Sequence, residues 1–179
     1  MNENFHISEI ISDGFKTIEN SGKRFLVLIL TPIIIGITIS IYKDIEVNKD
    51  YINIIISSLS IFTGFFFTLI VYVADKAANK KNEYRDKKNE EDIRFINTYL
   101  DFIEKLISQI SYSIILSVII ICISLVSQLE LPCLIDGKYC HHFDLLITSI
   151  VISLIFHFLI YLLLIISNMY ALFLEEIKR

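Results

Sequence analysis

Four long apolar runs divide the chain: Phe25–Tyr42, Tyr51–Ala74, Ile107–Leu129 and Leu145–Phe173. A helix rises 1.5 Å per residue, so about 20 apolar residues cross about 30 Å of hydrocarbon. On that measure each run is read as a membrane-spanning helix, and the last is long enough to span with tilt or to emerge beyond the surface. Between the second and third runs lies Asp75–Leu106, DKAANKKNEYRDKKNEEDIRFINTYLDFIEKL, the most highly charged segment of the chain. The pattern predicts hairpin, charged middle, hairpin. The fold class is an all-α polytopic membrane protein with four transmembrane helices, of which helices 2 and 3 extend into the cytoplasm.

Five segments follow: 1–24, 25–74, 75–106, 107–173 and 174–179. The first reads as an amphipathic helix, with Ile7, Ile10, Ile11, Phe15 and Ile18 near one face and Glu9, Asp13, Lys16 and Glu19 off it. Such a helix lies in the headgroup plane as an anchor, or serves as a docking or membrane-packing sensor. Ser21-Gly22 breaks it before the first span. In the middle segment Ala74–Lys81 has no helix breaker and prolongs helix 2, while Asn82 and Asn89 favour a turn. Asn89 is a fitting N-cap, and the acids Glu90, Glu91 and Asp92 suit a helix N-terminus. Ile93, Ile96, Leu100, Ile103, Ile107 and Ile110 then keep helical spacing into the third span. This stripe faces Tyr84 and the extension of helix 2, and requires cover from the same chain, a neighbour or a soluble partner.

Composition agrees: 54% of the 179 residues are apolar, with 5 Gly and 2 Pro, more hydrocarbon than a soluble core of this size hides. A cleaved signal peptide is rejected for the first run, because about two dozen residues precede it and no A-x-A pattern follows. Orientation comes from Lys and Arg. Thirteen lie in the N-terminal, middle and C-terminal segments, and only Lys43, Lys49 and Lys138 lie in the two opposite loops. By the positive-inside rule both termini and the middle are cytoplasmic, and a bacterial inner membrane is the default location. The net charge of −4 suggests no nucleic-acid partner.

The spans carry few polar groups, and each has two readings. Thr31-Pro32 predicts a kink, with Thr31 satisfying part of the backbone that Pro32 frees. Gly36 and Ser40 form a small-xxx-small pair for close helix approach. In helix 2, Ser57, Ser60, Gly64 and Thr68 make a small and hydroxyl stripe ending at Asp75, opposite bulky Ile61, Phe62, Phe65, Phe66 and Phe67. It is read as an assembly seam, with a pore lining as the alternative. Ser113, Ser117, Ser124 and Gln128 lie near one face of helix 3, and Cys122 is a small apolar filler. In helix 4, Ser149, Ser153, His157, Tyr161 and Asn168 share a face. His157, near mid-bilayer, either hydrogen-bonds across a seam or serves gating or proton transfer. The external loop ELPCLIDGKYCHHFD holds Cys133 and Cys140, expected as a disulfide worth about 2.5 kcal/mol. A metal held by Cys133, Cys140, His141 and His142 is the lesser reading, since the spacing is unlike that of usual zinc sites. No cofactor is expected.

No nucleophile–base pair, metal-hydrolase motif or phosphate loop occurs, and the spans lack Asp and Glu, so an enzyme is not expected. The basic cluster of Lys80, Lys81, Arg85, Lys87 and Lys88 sets topology, touches anionic lipid heads or docks a partner. A small transporter fits poorly, because the two hairpins are parallel repeats and buried charge is missing. An oligomeric pore or membrane-depolarising effector fits the hydroxyl stripes. A sensor or anchor fits the amphipathic N-terminus and the projecting helices. The run LSIFTGFFFTLIVYVADK, Leu59–Lys76, followed by a charged segment, resembles small four-helix membrane proteins of bacterial anti-phage defence operons, with the membrane subunit of the Kiwa system nearest in layout. That resemblance implies an oligomer, a tetramer by expectation, that senses membrane perturbation and works with a cytoplasmic effector.

Overall fold

The computed structural model describes residues 10–12, 22, 26–42, 49–85, 89–128 and 137–177. They are helical, and no strand occurs among them. A π-helical stretch, Leu26–Leu30, leads into α1, Thr31–Tyr42. Then come α2, Lys49–Glu83, α3, Glu90–Gln128, and α4, Gly137–Ile177. Three helices are long and apolar enough to cross a membrane, Asp50–Glu83, Glu90–Ser127 and Leu145–Leu174, while the apolar helix Leu26–Ile41 is shorter. The 35, 39 and 41 residues of α2, α3 and α4 correspond to about 50–60 Å, roughly twice the hydrocarbon thickness. All three therefore overshoot the bilayer.

The helices pack in the order α2, α3, α4, α1, each antiparallel to the next. Helix α3 is central, with 39% of its apolar window buried against 11% for α2. Its buried face carries Leu106, Ile110, Leu116 and Ile120, which meet Leu59, Phe66 and Val73 of α2 and Phe158, Tyr161 and Ile165 of α4. The phenyl ring of Phe158 sits edge-on to Phe62 and Phe66, at 5.9 and 6.0 Å between centroids, an arrangement aromatic quadrupoles favour.

The first hairpin differs from the sequence expectation. The short connection predicts α1 against α2, yet among the described residues α1 packs on α4 and makes no close backbone approach to α2. The reason is Gly36. A β-carbon there would stand 2.8 Å from the Ser149 carbonyl oxygen and 2.9 Å from the Ser153 nitrogen, and would collide with the Ser153 hydroxyl. Only hydrogen at this position lets the two backbones meet. Ser40, one turn on, is buried in the same seam.

At the charged end, α2 runs without interruption to Glu83 and turns at Tyr84–Arg85, where Tyr84 N donates to Lys80 O and Arg85 N to Asn82 O. Asn89 caps α3: its carbonyl accepts from Ile93 N at 3.1 Å and its side chain from Glu91 N at 3.5 Å. The isoleucine stripe is covered by the same chain. Ile103 and Ile110 are buried, Ile96, Leu100 and Ile107 half-buried, and Ile93 exposed. Tyr84, Phe95 and Tyr99 close the tip as a run of rings with centroids 5.7 and 6.1 Å apart. Where apolar sequence gives way to charge, Tyr72 faces Phe173 and the Lys76 ammonium lies over the Tyr72 ring at 5.7 Å. This mix of aromatic rings and a snorkelling lysine suits a membrane surface.

Two expectations fall outside the described residues. The N-terminal amphipathic helix is represented only by 10–12 and 22, with Ile11 half-buried against the core. Of the cysteine loop, Cys133 is outside and Cys140 is described only as backbone within α4.

Gly36→Leu should separate α1 from α4, because the added side chain meets backbone rather than a movable group. The loss should be read as new proteolytic sensitivity in residues 26–42 of the protein in detergent. Unchanged resistance would contradict the close approach.

Candidate functional site: a buried polar chain across the helices

Proline has no N–H, so Pro32 cannot donate to the carbonyl four residues back, that of Leu28. Just ahead of it the chain is π-helical, a local widening that recurs at functional sites. The Leu28 carbonyl is taken up by another helix: His157 Nδ1 of α4 lies 2.7 Å from it. On the other side of the ring, His157 Nε2 lies 2.9 Å from the Tyr112 hydroxyl of α3. A carbonyl only accepts, so Nδ1 carries the hydrogen, Nε2 offers its lone pair, and Tyr112 donates. One imidazole thus joins α1, α4 and α3. Tyr161 walls this node, its ring 4.7 Å from Tyr112 and 4.9 Å from His157, and it is fully buried.

Two further bonds tie the layer. Asn168 donates to Gln109 at 2.7 Å between α4 and α3, and the Thr63 and Ser117 hydroxyls meet at 2.7 Å between α2 and α3. Other hydroxyls turn inward on their own helices: Ser113 donates to Gln109 O, Ser153 to Ser149 O and Thr38 to Ile34 O. Ser40, Ser108 and Ser124 have buried hydroxyl oxygens without a hydrogen-bond partner.

The sequence-predicted residues separate into distinct places. Gly36 and Ser40 lie in the α1–α4 seam. Ser57, Ser60, Gly64 and Thr68 are exposed, half a helical turn from Leu59, Phe66 and Val73, so the stripe looks away from the layer. Ser60 and Thr68 bond the carbonyls of Ile56 and Gly64, and a β-carbon at Gly64 would touch nothing within 4 Å. Lys80 is half-buried, pairs with Glu83 at 2.9 Å and lies 5.5 Å over the Tyr84 ring. Lys81 and Arg85 are exposed, while Lys87 and Lys88 lie outside the described residues. Among the described residues no group of three or more His, Cys, Asp or Glu is placed to hold a metal.

Sequence reasoning found His157 but not its partners. Pro32 carried the missing signal, since a proline names the carbonyl it frees. Tyr112, Gln109 and Thr63 gave no such signal within apolar runs. Compared with protein-family models, curated proteins and solved structures, the chain has no match.

Imidazole nitrogen resonances of the full chain, with His157→Gln used for assignment, should show His157 protonated at Nδ1 and bare at Nε2. Tyr112→Phe should shift the Nε2 resonance and cost about 1 kcal/mol. A protonated Nε2 beside a bare Nδ1 would contradict the assigned chain.

Proposed function

We propose that this chain is a non-enzymatic, oligomeric protein of a bacterial inner membrane that couples the state of the bilayer to a cytoplasmic partner. The observation that carries the reading is continuity. Helices α2 and α3 pass from apolar to charged sequence without a break and meet in the Tyr84, Phe95 and Tyr99 tip. A tilt or shift of either span therefore moves the tip as a lever. In this reading α1 is a fourth span, and the excess of Lys and Arg in residues 1–24, 75–106 and 174–179 holds both termini and the tip in the cytoplasm. The exposed Lys81, Arg85 and Ile93 then offer a mixed basic and apolar surface to a soluble protein or to anionic lipid heads. The setting implied by the resemblance, a membrane subunit of anti-phage defence, belongs to the same proposal.

Assembly is assigned to the outward stripe of α2. Its faces divide cleanly: Leu59, Phe66 and Val73 pack inward, while Ser57, Ser60, Gly64 and Thr68 look outward with room for a second backbone. A tetramer is the working number. A pore is the second reading, favoured by that outward hydroxyl row, which lines a path only if several copies turn it towards a common axis.

Native mass spectrometry of the protein purified in mild detergent with its genomic neighbours should give a homo-oligomer carrying one soluble neighbour. A bare monomer would contradict the proposal, and a homo-oligomer without partner that passes ions through liposomes would favour the pore. Gly64→Leu should reduce the oligomer to monomer, and an unchanged mass would remove the stripe from the interface.

A further inference from the structure

We propose that Leu26–Pro32 is a hinge on which the first helix moves against α4, and that the His157 imidazole is the latch that holds it closed. Three independent features meet at this point. First, α1 sits at the edge of the layer, seated through Gly36 and Ser40 on Ser149 and Ser153. Among the described residues α1 packs on α4 and on no other long helix, so it can part from α4 without displacing a third helix. Second, the backbone changes from π to α immediately before Pro32, where the proline removes one rung of the helical ladder. Prolines and π-helical turns are the usual places for a helix to bend. Third, the freed Leu28 carbonyl is held by a side chain from another helix, at 2.7 Å from His157 Nδ1. The opposite ring nitrogen is fixed by Tyr112 of α3, so the latch is anchored in the central helix and not only in its own.

Motion of α1 breaks the Nδ1–H to carbonyl bond while the Tyr112 bond stays intact. The groups that face the imidazole are the Leu28 carbonyl from α1, the Tyr112 hydroxyl from α3 and the Tyr161 ring from α4. The first apolar run, Phe25–Tyr42, covers about 27 Å as a helix, slightly short of the hydrocarbon thickness, so of the four runs it is the one most strained by a thicker bilayer. The hinge supplies the moving part of the coupling proposed above and rests on that reading for its use, not for its existence.

The test is a crosslinking cycle on the full chain in phosphatidylcholine vesicles. Ile37→Cys and Ile150→Cys are introduced together with Cys122→Ala, Cys133→Ala and Cys140→Ala; both isoleucines line one groove between α1 and α4. The rate of oxidative crosslinking reports α1 seated on α4. His157→Phe should slow it about fivefold, the factor that one lost hydrogen bond carries. His157→Asn, whose amide N–H lies near the place of Nδ1–H, should restore the rate. Pro32→Ala returns an N–H to position 32 and gives the Leu28 carbonyl a donor on its own helix. In that background His157→Phe should have no further effect. The latch is overturned if His157→Phe leaves the rate unchanged, if Asn fails to restore it, or if the same fold-change appears in both backgrounds, as for a ring that only fills space. Loss of the soluble partner from the native mass spectrum would remove the coupling without altering this cycle, so the two failures are distinguishable.

Discussion

Lipid tails are as apolar as leucine, so nothing hydrophobic pushes these helices together once they lie in a bilayer. Their association has to come from close contact and from polar groups that find each other. Each neighbouring pair in the layer has such a tie. Thr63 and Ser117 join α2 to α3, Gln109 with Asn168 and Tyr112 with His157 join α3 to α4, and His157 with the Leu28 carbonyl joins α4 to the first helix. Bonds of this kind contribute roughly 0.6–2 kcal/mol each. The layer is therefore held by a few modest ties, and removing any one is felt at a single helix pair.

That distribution explains why the helices differ in character. Central α3 bonds neighbours on both sides, through Ser117 to α2 and through Gln109 and Tyr112 to α4. Edge helix α2 buries one row of large residues, turns Thr63 to Ser117 of α3, and leaves Ser60 and Thr68 to bond its own backbone on the outward face. The first helix leans on glycine and serine and on a histidine that reaches across to it. At the tip, the Asn89 cap and the Tyr84, Phe95 and Tyr99 rings join the ends of α2 and α3.

Much of this was legible from residues alone. The length and purity of the last three apolar runs mark the helices long enough to cross a membrane, while the first run forms a shorter apolar helix, and Asn89 followed by three acids marks the start of α3. The isoleucine spacing from Ile96 to Ile110 marks its buried face. Helix pairing was not legible. In a membrane both lipid-facing and protein-facing surfaces are apolar, so periodicity does not say which neighbour a face meets. A short connection between the first two apolar runs pointed to α2 as the partner of α1, yet Gly36 fits Ser149 and Ser153 of α4. The row Ser57, Ser60, Gly64 and Thr68 showed one face of α2 without showing that the row looks outward. Pro32 was recognised as a kink, while the donor that would answer its freed carbonyl lay more than a hundred residues away.

The proposed coupling requires α2 to be one rod from the bilayer to the charged tip. Spin labels at Ile61, on its lipid-facing side, and at exposed Lys81 are twenty positions apart, which places them about 30 Å apart on a continuous helix. A narrow distance distribution near that value in vesicles is the predicted result. A broad or shorter distribution would mean that the helix breaks at the membrane surface and that the tip cannot be moved by the spans.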